Sequence, residues 1–213
     1  MKNIVFIINP MSGTQNKRRL PKLIMELLDK RQWLENIVFT ERIGDAYRLS
    51  KQYATMGFDA VVAVGGDGTV REVAEGLAGS RSALGIIPMG LTNTLARHLV
   101  IPLRGNTSIT WLNRSEPLLC DSLQVVIDGG KPMRAMCSVE AGDQLYVNCK
   151  QGMKTSIQDG EMEGGNGERL AMSGERVEYS GQVMVDGEEY EAEHELTVSI
   201  LPDSIYVLAP KRY

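Results

Sequence analysis

Ala60-Val61-Val62-Ala63-Val64-Gly65-Gly66-Asp67-Gly68-Thr69, followed by Val70-Arg71-Glu72-Val73-Ala74-Glu75-Gly76-Leu77-Ala78, decides the fold. The first five residues form a short apolar run rich in valine, the composition of a buried strand. Three glycines around one aspartate then break the run. After them Val70, Val73, Ala74, Leu77 and Ala78 recur at helical spacing and predict a helix with one apolar face. A strand, a glycine turn and an amphipathic helix make up the repeating unit of a parallel sheet covered by helices.

Working outward, the same texture fills the first hundred residues. Ile4–Ile8, Ile37–Thr40 and Leu84–Ile87 read as further strands, each followed by small polar or glycine-bearing residues before a helical pattern resumes. Loops after parallel strands meet at one sheet edge. Beyond Pro102 the pattern becomes alternating runs, at Leu123–Ile127, Gln182–Val185, Leu196–Leu201 and Ile205–Leu208. Asp128-Gly129 and Asp186-Gly187 fit tight hairpin turns, because Asp-Gly accepts positive φ. The expected fold class is α/β: an N-terminal parallel sheet with helices on both faces over residues 1–108, and a reduced, β-rich, sandwich-like domain over 109–213. A mobile, loop-like stretch is expected at 150–176, where glycines and charges dominate.

Composition bounds the function. With 213 residues, 43% hydrophobic and 23% charged, the chain can bury real cores and is neither a disordered tail nor a fibre. No window approaches the roughly 18 apolar residues of a spanning helix. Ile4–Ile8 is too short for the apolar region of a signal peptide. Cys120, Cys137 and Cys149 are odd in number and form no Cys-x-x-Cys pair. These features predict a cytoplasmic protein. Residues 1–139 carry 17 Lys and Arg against 12 Asp and Glu, whereas residues 140–195 carry 4 against 14. The basic half can attract phosphates or an anionic membrane surface; the acidic half argues against nucleic acid as a partner. The densest basic cluster, Lys17, Arg18, Arg19 and Lys22, reads as a solvated face or as a phosphate or membrane contact.

The glycine turn carries the chemistry. Without Cβ atoms the chain can bring its N–H groups against a phosphate, and the N-terminus of the following helix adds positive charge. The stretch is neither Gly-x-Gly-x-x-Gly nor a Walker loop. Thr69 and Glu72 also fit a capping box, Thr-x-x-Glu. Asp67 is harder to absorb structurally, since an acid in such a turn repels phosphate unless it holds a metal ion or takes a proton. Asn9-Pro10-Met11-Ser12-Gly13 and Pro88-Met89-Gly90-Leu91-Thr92-Asn93 are loops of similar composition after other strands, at the edge where open α/β sheets bind ligands.

Taken together, Asn9-Pro10-x-Ser12-Gly13, Thr40-Glu41-Arg42, Gly65-Gly66-Asp67-Gly68-Thr69 with Glu72-Val73, Ile87-Pro88-x-Gly90 with Asn93 and Ala96-Arg97, and Ile101-Pro102 resemble the diacylglycerol kinase catalytic-domain family, which includes bacterial lipid kinases and sphingosine kinases. The resemblance is dense in the first half and thin in the second, through Asp121 and Asp186-Gly187-Glu188. It implies transfer of the ATP γ-phosphoryl group to a lipid alcohol such as diacylglycerol, with Mg²⁺. Asn9, Pro10, Ser12, Gly13, Thr40, Gly65, Gly66, Asp67, Gly68, Thr69, Gly90, Thr92 and Asn93 would hold ATP. Asp67 would support the metal, Asp121 would orient the acceptor hydroxyl and Glu188 would act as base. The resemblance also implies transient contact with a membrane surface, and it allows a homodimer.

Several positions keep a second reading. Glu188 equally opens the second strand of a hairpin, and Asp121 equally occupies an exposed strand edge. Gly90-Leu91-Thr92-Asn93-Thr94 departs from the family's Gly-Thr-x-Asn-Asp, and the second half is short. A NAD kinase-like enzyme and a nucleotide-binding relative without turnover therefore stand as alternatives. Asp159, Glu161 and Glu163 have oxygen-ligand spacing or are solvated charges. His98, His194, Trp33 and Trp111 attract no catalytic role.

Overall fold

A computed structural model describes residues 1–13, 17–136, 138–141, 145–148, 156–157 and 173–210. Two compact units are present: Met1–Leu119 with Ile205–Tyr213, and Cys120–Ser204. The division expected at 108/109 instead falls at 119/120, because the helix spanning Gly105–Leu112 packs on the first unit's sheet. The chain also returns to that unit at 205.

The first unit runs β1 (Lys2–Ile8), α1 (Leu20–Leu27), β2 (Trp33–Phe39), α2 (Asp45–Thr55), β3 (Ala60–Gly65), α3 (Asp67–Leu77), β4 (Ala83–Pro88), α4 (Thr94–His98) and α5 (Gly105–Leu112). The strands lie in the order β2-β1-β3-β4 and all pair in parallel; Tyr206 and Val207 add a further parallel segment beside Ala83 and Leu84. Every residue of β3 and β4 is buried, as a sheet covered on both sides requires. Ile4, Phe6 and Ile8 pack with Leu20 and Ile24 of α1 and with Ile109 and Leu112 of α5. Val5 and Ile7 point the other way. On that face lie α2 and α3.

Two local expectations change. Strand β2 starts at Trp33 rather than Ile37, because Lys2 to Ile8 of β1 pair with its full length. Its polar residues are tolerated at the sheet edge, where it is only half buried. Ala78 closes α3 as an exposed C-terminal residue, so the buried stripe is Val70, Val73, Ala74 and Leu77. Trp33 is buried in the core and Trp111 packs against it, and His98 ends α4.

The second unit is β-rich. It contains β5 (Ser115–Ile127, from Cys120 onward), β6 (Met133–Ala135), β7 (Ser138–Ala141), β8 (Leu145–Asn148), β9 (Ser156–Ile157), β10 (Ser173–Glu178), β11 (Gly181–Val185), β12 (Glu188–Ala192) and β13 (Glu195–Pro210, as far as Ser204). A five-stranded sheet, β12-β11-β7-β8-β9, shares one core with β5, β6 and β13 through Leu123, Val125, Ala135, Val139, Val183, Val185, Leu196 and Val198. Both Asp-Gly turns form as expected, with Asp128, Gly129, Asp186 and Gly187 all at positive φ. Most of the stretch 150–176 lies outside the described residues, as do Asp159, Glu161 and Glu163; 156–157 and 173–176 belong to strands.

Candidate functional site

Where the strand order reverses between β1 and β3, the loops after β1, β2 and β3 enclose a cleft of about 610 Å³. Such switch points are where open parallel sheets bind ligands. Asn9, Pro10, Met11 and Ser12 form one wall, Thr40 to Ile43 with Ala46 a second, and Gly66, Gly68, Thr69 and Glu72 the third.

The third wall is the start of α3. Its N-cap, Gly66, supplies no capping side chain, and the first intrahelical bond runs from Val70 N–H to the Gly66 carbonyl at 3.1 Å. The N–H groups of Asp67, Gly68 and Thr69 therefore have no acceptor within the helix, and those of Gly68 and Thr69 belong to cleft-lining residues. An uncapped helix start at a cleft favours an anion through unsatisfied donors and the helix dipole together.

Neighbouring loops hold this turn in place. Asn9 Nδ2 donates to Thr69 Oγ1 at 3.0 Å, while Asn9 Oδ1 accepts the Met11 N–H at 2.9 Å. A Cβ on Gly65 would lie 2.4 Å from Thr69 Oγ1, so only glycine lets the threonine fold back there. A Cβ on Gly13 would lie 1.9 Å from the Met89 carbonyl oxygen, and one on Gly90 would lie 2.6 Å from Gly66 Cα. Backbone therefore packs directly on backbone where the loops after β1, β3 and β4 meet. Gly13, Gly65, Asp67, Gly90, Thr92 and Asn93 adjoin the cleft loops without lining the cleft.

Asp67 binds the loop after β4. Its carboxylate accepts from Thr92 Oγ1 at 2.6 Å, Asn93 N–H at 2.9 Å and Thr94 N–H at 2.6 Å. These last two donors open α4, so Asp67 caps a helix in another loop. Asn93, at φ 51°, clamps the same loop by accepting the Gly90 N–H and donating to the Gly90 carbonyl, both at 2.8 Å.

Glu72 does not close a capping box with Thr69. Because α3 begins at Asp67, Thr69 lies inside it and its hydroxyl faces Asn9. Glu72 instead accepts the Gly44 N–H at 3.1 Å and the Ala46 N–H at 3.2 Å, capping α2. Asp45 shapes the same wall. The Glu41 N–H first, then that of Arg42 and the Arg48 guanidinium, hold its carboxyl below the usual range against the opposing effect of desolvation. Lys17, read with its neighbours as a solvated face or a phosphate or membrane contact, is buried and donates to the Ser12 carbonyl; burial pushes its ammonium pKa down. Arg18, Arg19 and Lys22 are exposed.

In the second unit, Asp121 Oδ1 accepts the Asp203 N–H at 2.9 Å. Glu188 is the first residue of β12, facing Val185 across the Asp186-Gly187 turn, and Glu188 Oε2 accepts from the Tyr190 hydroxyl at 3.0 Å. The hairpin reading of this stretch is thus realised. Beside it, buried Asp186 accepts the Met136 N–H at 2.6 Å, and Asp128 accepts the N–H groups of Glu193, His194 and Glu195 at 2.7–2.8 Å. Turn chemistry alone does not foretell these long-range anchors.

Comparison with known proteins agrees with this architecture. A family model of the diacylglycerol kinase catalytic domain matches residues 3–125, more than half of the chain. The diacylglycerol kinase of Bacillus subtilis (strain 168) is 38% identical over 104 residues, which span 48% of this chain and 34% of that protein. That of Staphylococcus aureus (strain MRSA252) is 39% identical over 104 residues, spanning 47% and 33%. The matched stretch is thus about a third of the length of these curated relatives. Among solved structures, a diacylglycerol kinase from Bacillus anthracis (strain Sterne) is alike in fold, with a TM-score of 0.60 over 98% of this chain and 97% of that one at 16% identity.

Proposed function

Because the chain belongs to the diacylglycerol kinase catalytic-domain family, we propose that it is an ATP- and Mg²⁺-dependent lipid kinase that transfers the γ-phosphoryl group to the hydroxyl of diacylglycerol or a related lipid alcohol. One observation carries the nucleotide part: the uncapped start of α3 opens on a cleft at the switch point of a parallel sheet. The triphosphate sits against the Gly66–Thr69 turn, and the Asn9–Ser12 and Thr40 walls complete the nucleotide site. Gly90, Thr92 and Asn93 hold that turn in place.

A magnesium ion, when bound, would supply positive charge to the phosphates. Such an ion needs only one or two carboxylates besides phosphate and water oxygens. Asp67 fits this role: its Oδ1 accepts a single N–H, from Thr94, and keeps a lone pair for the metal. In the reaction the lipid oxygen forms a bond to the γ-phosphorus, the bridging β–γ P–O bond breaks, ADP leaves and the hydroxyl proton passes to a carboxylate. By the family resemblance Asp121 orients that hydroxyl and Glu188 takes the proton. The working surroundings are the cytoplasm, with transient contact at the membrane surface. Among the described residues no helix is long and apolar enough to cross a membrane.

The test is phosphorylation of diacylglycerol in mixed micelles with radiolabelled ATP, in parallel with NAD as acceptor. Wild type labels the lipid, and Asp67→Asn binds nucleotide without turnover. Unchanged lipid labelling by Asp67→Asn overturns the assignment of Asp67. A second reading, a nucleotide-binding relative without turnover, is favoured by the engagement of both Asp67 oxygens within the protein. Calorimetric ATP binding without phosphorylation of any acceptor selects it.

A further inference from the structure

Among the described residues, Ile43 and Met11 are the two most exposed large apolar side chains, at 98% and 87%. Single apolar residues scattered over a surface are ordinary. These two line one cleft from different walls, Met11 on the loop after β1 and Ile43 on the loop between β2 and α2. Neither loop is loosely held. The Met11 N–H donates to Asn9 Oδ1 at 2.9 Å, and the Ser12 hydroxyl donates to the Asn9 carbonyl at 3.2 Å. Ile43 sits between two fastened neighbours: the Arg42 N–H donates to Asp45 Oδ2 at 3.2 Å and the Gly44 N–H to Glu72 Oε1 at 3.1 Å. With the backbone fixed on either side, both apolar side chains are kept in water at the cleft.

The lining of the cleft is divided by chemistry. Gly68 and Thr69 bring N–H groups that have no acceptor within α3. The apolar side chains of the cleft, Pro10, Met11, Ile43 and Ala46, all belong to the other two walls. A nucleotide is divided in the same way, with a polyanionic tail at one end and a planar ring with apolar faces at the other. When the tail lies against the start of α3, the ring is left to the apolar walls. Methionine suits such a contact, because its unbranched, polarizable thioether packs well on aromatic rings. We infer that Met11 and Ile43 form a clamp for the nucleobase, covering the faces of the ring. The inference rests on the nucleotide site proposed above and names the residues that hold its base. Met11 fills the unspecified place in Asn9-Pro10-x-Ser12-Gly13, and Ile43 follows Thr40-Glu41-Arg42, so the motif residues do not assign either of them.

The experiment is calorimetry of the full chain with Mg²⁺ and either ATP or inorganic tripolyphosphate, for wild type, Met11→Ser, Ile43→Ser and Ile43→Leu. Each serine variant should bind ATP about tenfold more weakly, as expected where about half of an apolar side chain leaves water on binding. Tripolyphosphate, which has no ring, should bind these variants as it binds wild type. Ile43→Leu should keep its ATP affinity. Melting temperatures of the free proteins should agree, because both side chains already lie in water without a ligand. Equal losses for ATP and tripolyphosphate would mean that these loops only shape the phosphate wall, and would overturn the proposal. Unchanged ATP affinity in both serine variants would overturn it too; labelling of diacylglycerol alongside that result leaves the kinase reading standing. ATP held through the clamp without phosphorylation of any lipid defeats the kinase reading and leaves the clamp.

Discussion

Glu72 Oε1 accepts the backbone N–H of Gly44 at 3.1 Å, so a side chain on the third helix closes the start of the second. The contact joins two walls of the cleft, because Glu72 lines one and Thr40–Ile43 leads into α2 on the other.

Removing that cap should loosen this wall of the cleft. Glu72→Ala leaves the Gly44 and Ala46 donors unmet and is expected to cost about 0.5–2 kcal/mol. Urea denaturation gives the loss, and calorimetry should show weaker ATP binding. Unchanged stability and affinity would mean that solvent caps α2 equally well.

Gly13 tests the packing of loop on loop. Gly13→Ala forces a Cβ to 1.9 Å from the Met89 oxygen at a residue with φ 59°. Overpacking of this kind costs about 1–3 kcal/mol. Thermal unfolding should register a lower Tm, with a smaller effect for Gly57→Ala, where φ is 80° but no atom lies within 4 Å.

The clasp that Asp67 makes on the loop after β4 is separable from the metal role proposed for it. Asp67→Asn keeps an acceptor oxygen for one of the two α4 donors and loses the negative charge, so turnover should collapse while the fold survives. Asp67→Ala also leaves the Asn93 and Thr94 N–H groups unmet, at about 1–3 kcal/mol. If both variants melt with the wild type, the clasp contributes nothing measurable.

Acid should weaken both units. Asp45 is held low first by the Glu41 N–H, and Asp128 first by the Glu193 N–H and then by that of Glu195. A carboxyl whose folded pKa is depressed stabilises the fold above its unfolded value near about 3.9, and that stability is lost as pH falls through the folded value. Denaturation midpoints should therefore drop below about pH 4. Asp128→Asn should flatten the decline, and a midpoint with the wild-type pH profile in that variant would exclude Asp128 as a source.

How much could be read from the residues alone differs from element to element. Ala60–Val64 and the stripe Val70, Val73, Ala74, Leu77 announce a buried strand and its covering helix, because a strand covered on both faces reads as a continuous apolar run and a helix covered on one face repeats at 3.6. Asp128-Gly129 and Asp186-Gly187 announce their turns, because positive φ is a local demand. The loops after parallel strands follow from the same pattern, and so does their convergence on one edge. Long-range partners do not. Glu72 carries the spacing of a capping box with Thr69, yet it serves Gly44 and Ala46, since the helix starts three residues earlier, capped at Gly66, and α2 lies alongside. Asp67 reads as a phosphate-turn acid, yet its oxygens meet Thr92, Asn93 and Thr94, which are distant in sequence. A carboxylate has the same donors to choose from in any sequence window, and only the packing of helices on the sheet decides which of them come within 3 Å.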